Sequence, residues 1–507
     1  MSSYYITTPI YYVNDKPHIG HAYTTLVSDI FARFMTLSGC EVKFLTGTDE
    51  HGQKVEKAAK KANMSSQDFV DQLSIPFKEL SSLLTFANDD FIRTTEERHK
   101  KAARFFWNIL KKNGHIYKGK YAGWYSVRDE AFYAESELTE EKLAPTGAPV
   151  EWVEEASYFF DLSKWQNKLL EFYEQNPDFI KPISRRNEVI SFVNSGLNDL
   201  SISRTTMKWG IQVPDDKDHV MYVWLDALTN YISALGYPEN TEDFQKFWPA
   251  NVHIVGKDIL RFHAIYWPAF LMAAGLALPK MILAHGWWTN EGQKISKSIG
   301  NVIDPVALVE EFGGDYVRYY MAREVILGND GNFSREGFIN RINSELSNKI
   351  GNLCQRVLAF INKNLEARTP NVENSDDLLK NSNLVQLAYN SLDRFKNYME
   401  KYEINNFLDG IIKIADEANI YIDMEAPWAL KKTDEKKMQE VLYIILETIR
   451  CIGIYMLPVI PNSAHEILNQ LGIQKNQRMF ANLTSKYKIE QGKVLKAPFP
   501  IFKRLEI

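Results

Sequence analysis

Strand and helix patterns alternate at the amino terminus of this sequence, and this alternation restricts the fold more than any other feature. A β-prone run, Tyr4–Thr8, and a loop precede apolar residues that recur at helical spacing from Ile19 to Leu37. Gly39, of the residue type that commonly ends helices, and a second β-prone run, Val42–Leu45, follow. A strand, a helix and a second strand in this order imply a parallel sheet, so the chain opens as an α/β domain.

The α/β pattern is interrupted and then resumes. Between about Ile116 and His219, aromatic residues are interleaved with glycine, proline and charged residues, which indicates an inserted α+β module. Beyond it, Val252–Val255 and Met281–Ala284 are strand candidates, and Ile259–Gly275 between them is a helix candidate. The sequence therefore predicts a parallel-sheet domain that an insertion splits.

After about Arg335 the pattern becomes all-helical. Apolar residues keep a spacing of three and four through Leu384–Met399, Phe407–Met424 and Val441–Tyr455. A polar stretch, Asn371–Asn381, is predicted as a loop between helices. This change in composition marks a second domain, which we predict to be a helix bundle.

Composition excludes several classes of protein. The chain has 507 residues, 45% of them hydrophobic, and a formal net charge of −5, so it can bury a core and is neither disordered nor a general nucleic-acid coat. Its three cysteines, Cys40, Cys354 and Cys451, form no CxxC pair, which favours a reducing compartment over a disulfide framework. No signal or transit peptide is recognisable, and the apolar stretches Tyr266–Pro279 and Val441–Ile460 are predicted as buried helices, not membrane spans. We expect a cytoplasmic protein.

The first chemical motif is Pro17-His18-Ile19-Gly20-His21, where the opening loop enters a helix. Exposed N–H groups and the helix dipole favour an anion there, and two imidazoles can donate to phosphate oxygens. Gly20 would let a flat ligand such as a nucleoside approach the backbone. A single match of this kind is more often a pair of surface histidines near a helix cap.

The second motif is Lys294-Ile295-Ser296-Lys297-Ser298, in a loop flanked by glycines. Two lysines three residues apart, with hydroxyl groups beside them, can stabilise the charge on a departing pyrophosphate. Alone, such a pentapeptide is more often a solvated loop. The two motifs together, in this order and on these elements, are the signature of the class I aminoacyl-tRNA synthetases.

Within that class the chain resembles the methionyl-tRNA synthetases over nearly its whole length. The matching segments are Thr8–Asn14, Thr46–Gly52, Tyr222–Ala227, Gly256–Asp258, Phe262-His263, His285-Gly286, Asn352-Leu353 with Arg356, Ala426–Trp428 and Phe502–Glu506. The resemblance implies a Rossmann-like catalytic domain in two halves, 1–115 and 220–275, with a connective insertion of the metal-free knuckle type at 116–219. It also implies a KMSKS-loop and stem-contact region at 276–340 and a helical anticodon-binding domain with a carboxyl-terminal tail at 341–507.

The resemblance implies a two-step reaction with two small substrates. L-Methionine and ATP form methionyl-adenylate and pyrophosphate, and methionine then passes to the 3′-terminal adenosine of initiator and elongator tRNA(Met). ATP binding is implied for His18, Gly20, His21, Gly256, Asp258, Lys294, Ser296 and Lys297, and the two histidines and two lysines of this set are the implied catalytic residues. ATP would bring Mg²⁺ with it, not use a dedicated protein site.

Methionine recognition is implied for Ile10, Tyr12, Asp49, Trp224, Ala227, Tyr231 and His263. An ammonium group needs a carboxylate, which Asp49 can offer at the end of a strand. A thioether must be recognised by shape, dispersion and sulfur–aromatic contact. Spacing alone permits an ordinary turn aspartate and ordinary core packing at these positions.

For the anticodon, the resemblance implies Asn352, Arg356, Pro427 and Trp428, since single-stranded RNA is read by stacking and by hydrogen bonds to bases. Without the motif, a tryptophan after a proline is more often packing at a helix start.

Two departures from the family pattern stand out. Ile295 replaces the methionine of the usual lysine motif, a swap that we expect to have no consequence. The knuckle stretch Trp124–Phe132 contains no cysteine, so we expect no structural zinc of the usual kind. The chain also shows no appended tRNA-binding module of the kind that dimerises some relatives, and we expect a monomer.

Two other functions remain open at this stage. One is a class I synthetase for leucine, isoleucine, valine or cysteine, although the larger editing insertion or zinc ligands of those enzymes are missing. The other is a non-catalytic RNA-binding paralogue, against which the intact His18, His21, Asp49, Lys294 and Lys297 argue. The sequence assigns no acid or base role to His51, His263 or His285.

Overall fold

Strands and helices alternate through the first part of the chain, as the sequence pattern predicts. This computed structural model describes residues 2–13, 15–128, 131–133, 135–295 and 301–506. The elements of the first part are β1 (Ser3–Thr7), β2 (Tyr11–Tyr12), α1 (Ile19–Leu37), β3 (Glu41–Asp49), α2 (Gln53–Lys61), α3 (Ser66–Leu83), β4 (Asp90–Arg93) and α4 (Glu97–Lys112).

A segment with its own antiparallel pairing follows α4. Its elements are β5 (Ile116–Ser126), β6 (Ala131–Tyr133), β7 (Glu151–Phe160), α5 (Gln166–Gln175), β8 (Ile180–Lys181), α6 (Ile183–Asn194), β9 (Leu200–Ser201), β10 (Ser203–Arg204), β11 (Gln212–Val213) and β12 (Asp216–Met221). Strands β6, β5, β7 and β9 form one antiparallel sheet, and β10, β12 and β11 form another. Helices and antiparallel strands are thus mixed here, as predicted.

The α/β alternation then resumes. The next elements are α7 (Val223–Leu228), α8 (Asn230–Ser233), α9 (Glu242–Phe247), β13 (Val252–Gly256), α10 (Trp267–Ala274), β14 (Ile282–His285), β15 (Trp288–Asn290), β16 (Gln293–Lys294), α11 (Pro305–Phe312), α12 (Gly314–Glu324) and β17 (Gly331–Phe333). Between β13 and α10 the chain is already helical, and Phe262–Tyr266 forms wide π-helical turns. Such turns are rare and occur often at functional sites.

Seven strands form the central sheet, and every pairing in it is parallel. The order is β2-β3-β1-β13-β14-β8, and β4 also pairs with β3. Tyr12 pairs with Asp49 and Gly256 with His285, so the carboxyl ends of four strands meet at one edge. From β1 the sheet extends to β3 on one side and to β13 on the other. The strand order changes direction at β1, and ligands bind at such a switch point in open α/β sheets.

The segment 116–219 also contributes to the central sheet. Strand β8 lies inside this segment, yet it pairs in parallel with β14, Ile180 with Ile282 and Lys181 with Leu283. A strand of two residues has no periodicity that a sequence could reveal. The chain therefore departs from the central sheet after α4, forms a separate sheet with β5, and returns at β8 to the edge of the central sheet before it reaches α7.

The last part of the chain is helical. Its helices are α13 (Arg335–Arg341), α14 (Asn352–Asn364), α15 (Ser375–Asn381), α16 (Asn383–Glu400), α17 (Ile404–Glu425), α18 (Pro427–Thr433), α19 (Glu435–Met456) and α20 (Pro461–Gln470), and π-helical turns at Ile342–Gly351 join α13 to α14. The loop predicted at Asn371–Asn381 is wrong in its second half, which forms α15. Leu379 is buried and Leu378 beside it packs against the core, and two adjacent apolar residues show no helical periodicity in the sequence.

The two long apolar stretches lie inside the protein. Helix α19 is buried on all sides from Val441 onward, including Glu447 and Arg450, whose charged groups pair at 2.5 Å. In the described part of the chain, no helix combines the length and the apolar character that crossing a bilayer requires.

A buried arginine joins the α/β part to the helical part. Arg318 of α12 is fully buried and donates to Asp29 Oδ2 of α1 at 2.7 Å. It also donates to the backbone oxygens of Leu84 (3.0 Å), Val459 (2.7 Å) and Pro458 (3.0 Å). One guanidinium thus satisfies a carboxylate and three carbonyls from elements that lie far apart in sequence.

We predict that Arg318→Met lowers the melting temperature by several degrees, because it leaves three buried carbonyls without their donor and removes one of the two arginines that pair with Asp29, at a cost of about 3–5 kcal/mol. The matched control is Arg335→Met, since Arg335 pairs with Glu311 at the surface and its side chain is 57% exposed. That control should change stability by about 1 kcal/mol or less. Thermal unfolding followed by circular dichroism measures both, and equal shifts would contradict a special role for Arg318.

Candidate active site and anticodon surface

A cavity of about 670 Å³ opens at the carboxyl ends of the central strands. Its volume is within the range of small-molecule sites. Among its lining residues are Ile10, Tyr12, His18, Gly20, His21, Asp49, Trp224, Ala227, Tyr231, Gly256, Asp258 and His263. The structure thus brings together all the residues predicted for methionine and ATP, apart from Lys294, Ser296 and Lys297.

Two histidines close the first turn of α1. His18 is the N-cap, and its Nδ1 accepts the N–H of Gly20 at 3.1 Å. His21 Nδ1 accepts the N–H of His18 at 3.2 Å, and the two rings stack at 3.8 Å. Because both Nδ1 atoms accept, each neutral ring carries its proton on Nε2. The helix terminus therefore adds two ring N–H donors to its own dipole, an arrangement suited to an anion.

Gly20 is required by the histidine cap itself. A Cβ at this position would lie 2.9 Å from His18 Cε1 and 3.1 Å from His18 Nδ1. The ring occupies the space that a side chain would need. Close approach of a ligand, the reason considered from sequence, is thus not the only reason for glycine here.

Asp49 ends β3 and faces the cavity from a firmly held loop. The next residue, Glu50, is fully buried and accepts from Thr48 Oγ1 (2.7 Å), Thr95 Oγ1 (2.5 Å) and Arg93 Nε (2.6 Å). These bonds use the Glu50 carboxylate within the protein. Of the two adjacent carboxylates, only that of Asp49 belongs to the cavity lining.

Aromatic side chains form another part of the cavity lining. Trp224 stacks on Phe262 with ring centroids 3.5 Å apart. His263 Nδ1 donates to the carbonyl of Ile259 at 2.9 Å, so its Nε2 accepts from the Tyr231 hydroxyl at 2.7 Å. Burial lowers the pKa of His263 to about 4. The ring is therefore neutral at neutral pH. His263 and Tyr231 make this wall weakly polar, and His263 adds no charge to it.

His285 holds α1 against the end of β14. Its Nδ1 donates to the carbonyl of Gly286 at 2.8 Å, and its Nε2 lies 2.7 Å from Thr24 Oγ1 of α1. Burial lowers the pKa of His285, so the neutral ring accepts from that hydroxyl. Both His285 and Thr24 line the cavity, and the sequence assigned a role to neither.

Asp258 lies beside a glycine and under a tryptophan. A Cβ on Gly256 would come 2.5 Å from Asp258 Oδ1, so only glycine leaves the carboxylate in place. Trp287 Nε1 donates to the same oxygen at 3.2 Å, and Lys257 Nζ lies 4.1 Å above the Trp287 ring. Trp287 lines the cavity and was not predicted.

Asn230 is a further cavity residue that the motif analysis missed. Its Nδ2 donates to the Ala227 carbonyl at 2.7 Å, which fixes the orientation of the amide. Within the described residues, its buried Oδ1 has no hydrogen-bond partner. Buried amide oxygens rarely stay unsatisfied, so this oxygen is available to a ligand or a water molecule. Asn230 follows Ala227 by three residues and directly precedes Tyr231, so its position beside two predicted methionine residues is the sequence signal that could have found it.

Only the start of the lysine motif, Lys294 and Ile295, lies within the described residues. Thr289 and Lys294 pair across β15 and β16, where the sequence predicts only a loop, and Ile295 lines the cavity. Ser296 and Lys297 lie outside the described residues. The predicted pyrophosphate clamp therefore stays a prediction.

The residues predicted for the anticodon form a separate surface on the helical domain. Pro427 is buried at the start of α18, and Trp428 is 44% exposed. The guanidinium of Arg356 lies 5.2 Å above the Trp428 ring and donates to Asp423 Oδ1 at 2.6 Å. Asn352 is exposed one helical turn before Arg356 on α14. An exposed ring beside a positioned cation is of the kind on which a nucleic-acid base can stack.

Contacts to aromatic rings occur in the stretch predicted as a metal-free knuckle. Trp124 meets Trp152 edge to face at 5.4 Å, and Lys142 Nζ lies 5.4 Å from the Trp124 ring centroid. Within the described ranges, no three His, Cys, Asp or Glu side chains are grouped so as to hold a metal ion.

Comparison with known proteins assigns the chain to a family. The family "tRNA synthetases class I (M)" matches residues 4–145 and 134–358, and the "Anticodon binding domain of methionyl tRNA ligase" matches residues 373–506. The chain is 62% identical over 506 residues to the methionine–tRNA ligase of Rickettsia bellii, covering 100% of this chain and 99% of the relative.

Solved structures agree with this assignment. The methionyl-tRNA synthetase of Mycobacterium tuberculosis in complex with methionyl-adenylate is 46% identical, with a TM-score of 0.95 over 99% of this chain and 100% of that one. Its free form has a TM-score of 0.89 at 43% identity, over 100% of this chain and 99% of that one. The conformation described above is thus more similar to the adenylate complex. The chain belongs to the methionyl-tRNA synthetases, the class I ligases that charge tRNA with methionine.

Proposed function

We propose that the cavity holds methionine and ATP side by side and that methionyl-adenylate forms there. The observation that carries this proposal is that one cavity is lined by all seven residues predicted for methionine and by five of the eight predicted for ATP, from segments spread over Ile10 to His263. The methionine carboxylate attacks the α-phosphorus, and pyrophosphate leaves. The 2′-hydroxyl of the terminal tRNA adenosine then attacks the activated carbonyl and releases AMP.

Methionine lies between Asp49 and the aromatic wall in this proposal. The Asp49 carboxylate binds the α-ammonium group. Ile10, Tyr12, Trp224, Ala227, Tyr231 and His263 surround the thioether, whose recognition depends on dispersion and sulfur–aromatic contact. Because His263 is neutral and its Nε2 is already engaged by Tyr231, this wall presents no charge to an apolar side chain.

ATP occupies the other side of the cavity. His18 and His21 donate from Nε2 to phosphate oxygens at the start of α1, and the lysine motif, Lys294, Ser296 and Lys297, stabilises the departing pyrophosphate. Gly256 and Asp258 contact the ribose, whose hydroxyl groups suit a carboxylate acceptor. ATP enters with Mg²⁺ bound to its phosphate oxygens.

Positioning and electrostatic stabilisation supply most of the rate in this mechanism. The substrate carboxylate is itself the nucleophile in the first step, and a tRNA hydroxyl is the nucleophile in the second. No protein side chain is therefore assigned as a nucleophile.

The exposed Trp428 is proposed to stack on a splayed anticodon base, with Asn352 and Arg356 as polar contacts and Pro427 fixing the start of α18. The 5.2 Å approach of the Arg356 guanidinium to the indole supports this proposal, because the ring has a cation beside it and Trp428 is still 44% exposed. The chain is further proposed to be cytoplasmic and to act as a monomer. Light scattering of the purified protein tests the monomeric state.

ATP–pyrophosphate exchange with a panel of amino acids tests the proposed chemistry. Exchange should depend on methionine. With leucine, isoleucine, valine or cysteine the exchange rate should be lower by about a hundredfold or more, which the shape of an apolar pocket permits. Exchange driven by another amino acid would redirect the proposal. A complete lack of exchange would favour the RNA-binding paralogue.

The histidine cap makes a separate prediction. His21→Ala removes one Nε2–H donor, and we expect the exchange rate to fall about 10²–10³-fold, as for other donors to developing charge. Methionine affinity, followed by tryptophan fluorescence, should change little because the thioether wall is intact. An unchanged exchange rate in a folded variant would rule out the phosphate role of His21.

The anticodon surface predicts a dissociation of two activities. Trp428→Ala should weaken tRNA use in aminoacylation by about 1–3 kcal/mol, the contribution of one stacked base, and leave pyrophosphate exchange unchanged. Trp428→Phe should restore part of the loss, since it keeps a ring. Equal losses in both assays would contradict the assignment.

A further inference from the structure

A buried carboxylate lies behind the proposed methionine wall with a histidine on each side. Asp226 of α7 is 1% exposed. His51 Nδ1 donates to its Oδ2 at 2.7 Å, and His99 Nε2 donates to its Oδ1 at 2.8 Å. Both histidines are buried as well. None of the three is among the described residues that line the cavity, so they do not belong to the site described so far.

The cluster joins three separate segments. His51 follows β3, two residues after Asp49, and His99 lies in the first turn of α4. On its other side, His99 Nδ1 lies 3.0 Å from Ser233 Oγ of α8. Helix α7 thus supplies Asp226 to the cluster, and helix α8 contacts the cluster through Ser233.

Asp226 lies next to Ala227 and two residues after Trp224. Successive residues of a helix point about 100° apart, so α7 can face the cavity with Trp224 and Ala227 while Asp226 faces away from it. The bond from His51 to Asp226 therefore spans the two halves of the proposed methionine site. One half carries Asp49, and the other carries the thioether wall.

The cluster contains a buried charge that two hydrogen bonds stabilise. Burial by itself raises the pKa of the Asp226 carboxyl, but His51 and His99 outweigh this effect and hold the pKa well below its usual range. The carboxylate is thus an anion bound by charge-assisted hydrogen bonds, which are shorter and stronger than neutral ones. Losing either donor would leave part of a buried charge unpaired.

We propose that His51, Asp226 and His99 are positioning residues for methionine: they hold α7 at a fixed distance from the Asp49 loop, so that the ammonium partner and the thioether wall fit one substrate. None of them touches the substrate. The inference rests on the proposed role of the cavity as the methionine site.

The test measures KM for methionine and for ATP by pyrophosphate exchange, on the full chain. Asp226→Asn places an amide N–H opposite a histidine N–H and breaks one side of the cluster. We expect KM for methionine to rise about tenfold or more, the effect of one lost buried hydrogen bond, with KM for ATP within about twofold. A matched control is Glu447→Gln, the same change at a buried carboxylate of α19, which should leave both KM values unchanged.

Rescue variants separate hydrogen bonding from simple packing. His51→Asn keeps an N–H near the position of Nδ1, and His99→Gln keeps one near the position of Nε2. Both should retain a KM for methionine close to that of the original chain. His51→Leu and His99→Leu keep bulk without the donor and should behave like Asp226→Asn. If Asp226→Asn does not fold, these two pairs carry the test.

Three results would overturn the inference: an unchanged methionine KM in Asp226→Asn, equal increases in both KM values, or His51→Asn and His99→Gln as impaired as the leucine variants. Trp224→Ala distinguishes this failure from failure of the proposed site. If Trp224→Ala leaves methionine KM unchanged, the cavity is not the methionine site. If Trp224→Ala raises it and Asp226→Asn does not, only the positioning role is wrong.

Discussion

The cavity depends on the parallel pairing of β1 between β3 and β13. Parallel strands end at the same edge of a sheet, so residues as distant in sequence as Asp49, Gly256 and His285 come together at that edge. The loop after β1 must then cross this edge before α1 begins. That crossing places the histidine-capped end of α1 over the cavity, where a helix dipole and ring N–H groups act in the same direction.

Polar groups around the cavity are held mainly by other buried polar groups. Glu50 is bound by Arg93, Thr48 and Thr95, His285 by Thr24, and His263 by Tyr231 and a backbone carbonyl. In a low-dielectric interior such bonds are strong when complete and costly when broken. They place the cavity residues on rigid strands and helices, as catalysis by positioning requires.

The helical domain is not a separate attachment. Arg318 binds Asp29 on the helix that carries the histidine motif and also the chain turn at Pro458 and Val459. Apolar contacts follow the same route, since Phe34 of α1 meets Phe407 of α17 edge to face at 5.6 Å. The proposed anticodon surface at Trp428 and the cavity thus lie in two parts of the chain that a buried joint connects.

The sequence by itself determined the family, the change from α/β to helical architecture, and the long helices, because motifs and apolar periodicity are local signals. Helix α16 differs by one residue at each end from the prediction of Leu384–Met399. Only the tertiary structure decided that β8 returns to the central sheet, that 375–381 is a helix, that His263 is neutral, and that Asp226 binds His51 and His99. These features depend on burial and on contacts between distant parts of the chain. The two hydrogen bonds of Asp226, for example, each join residues more than a hundred positions apart. Such pairings leave no periodic pattern in the sequence.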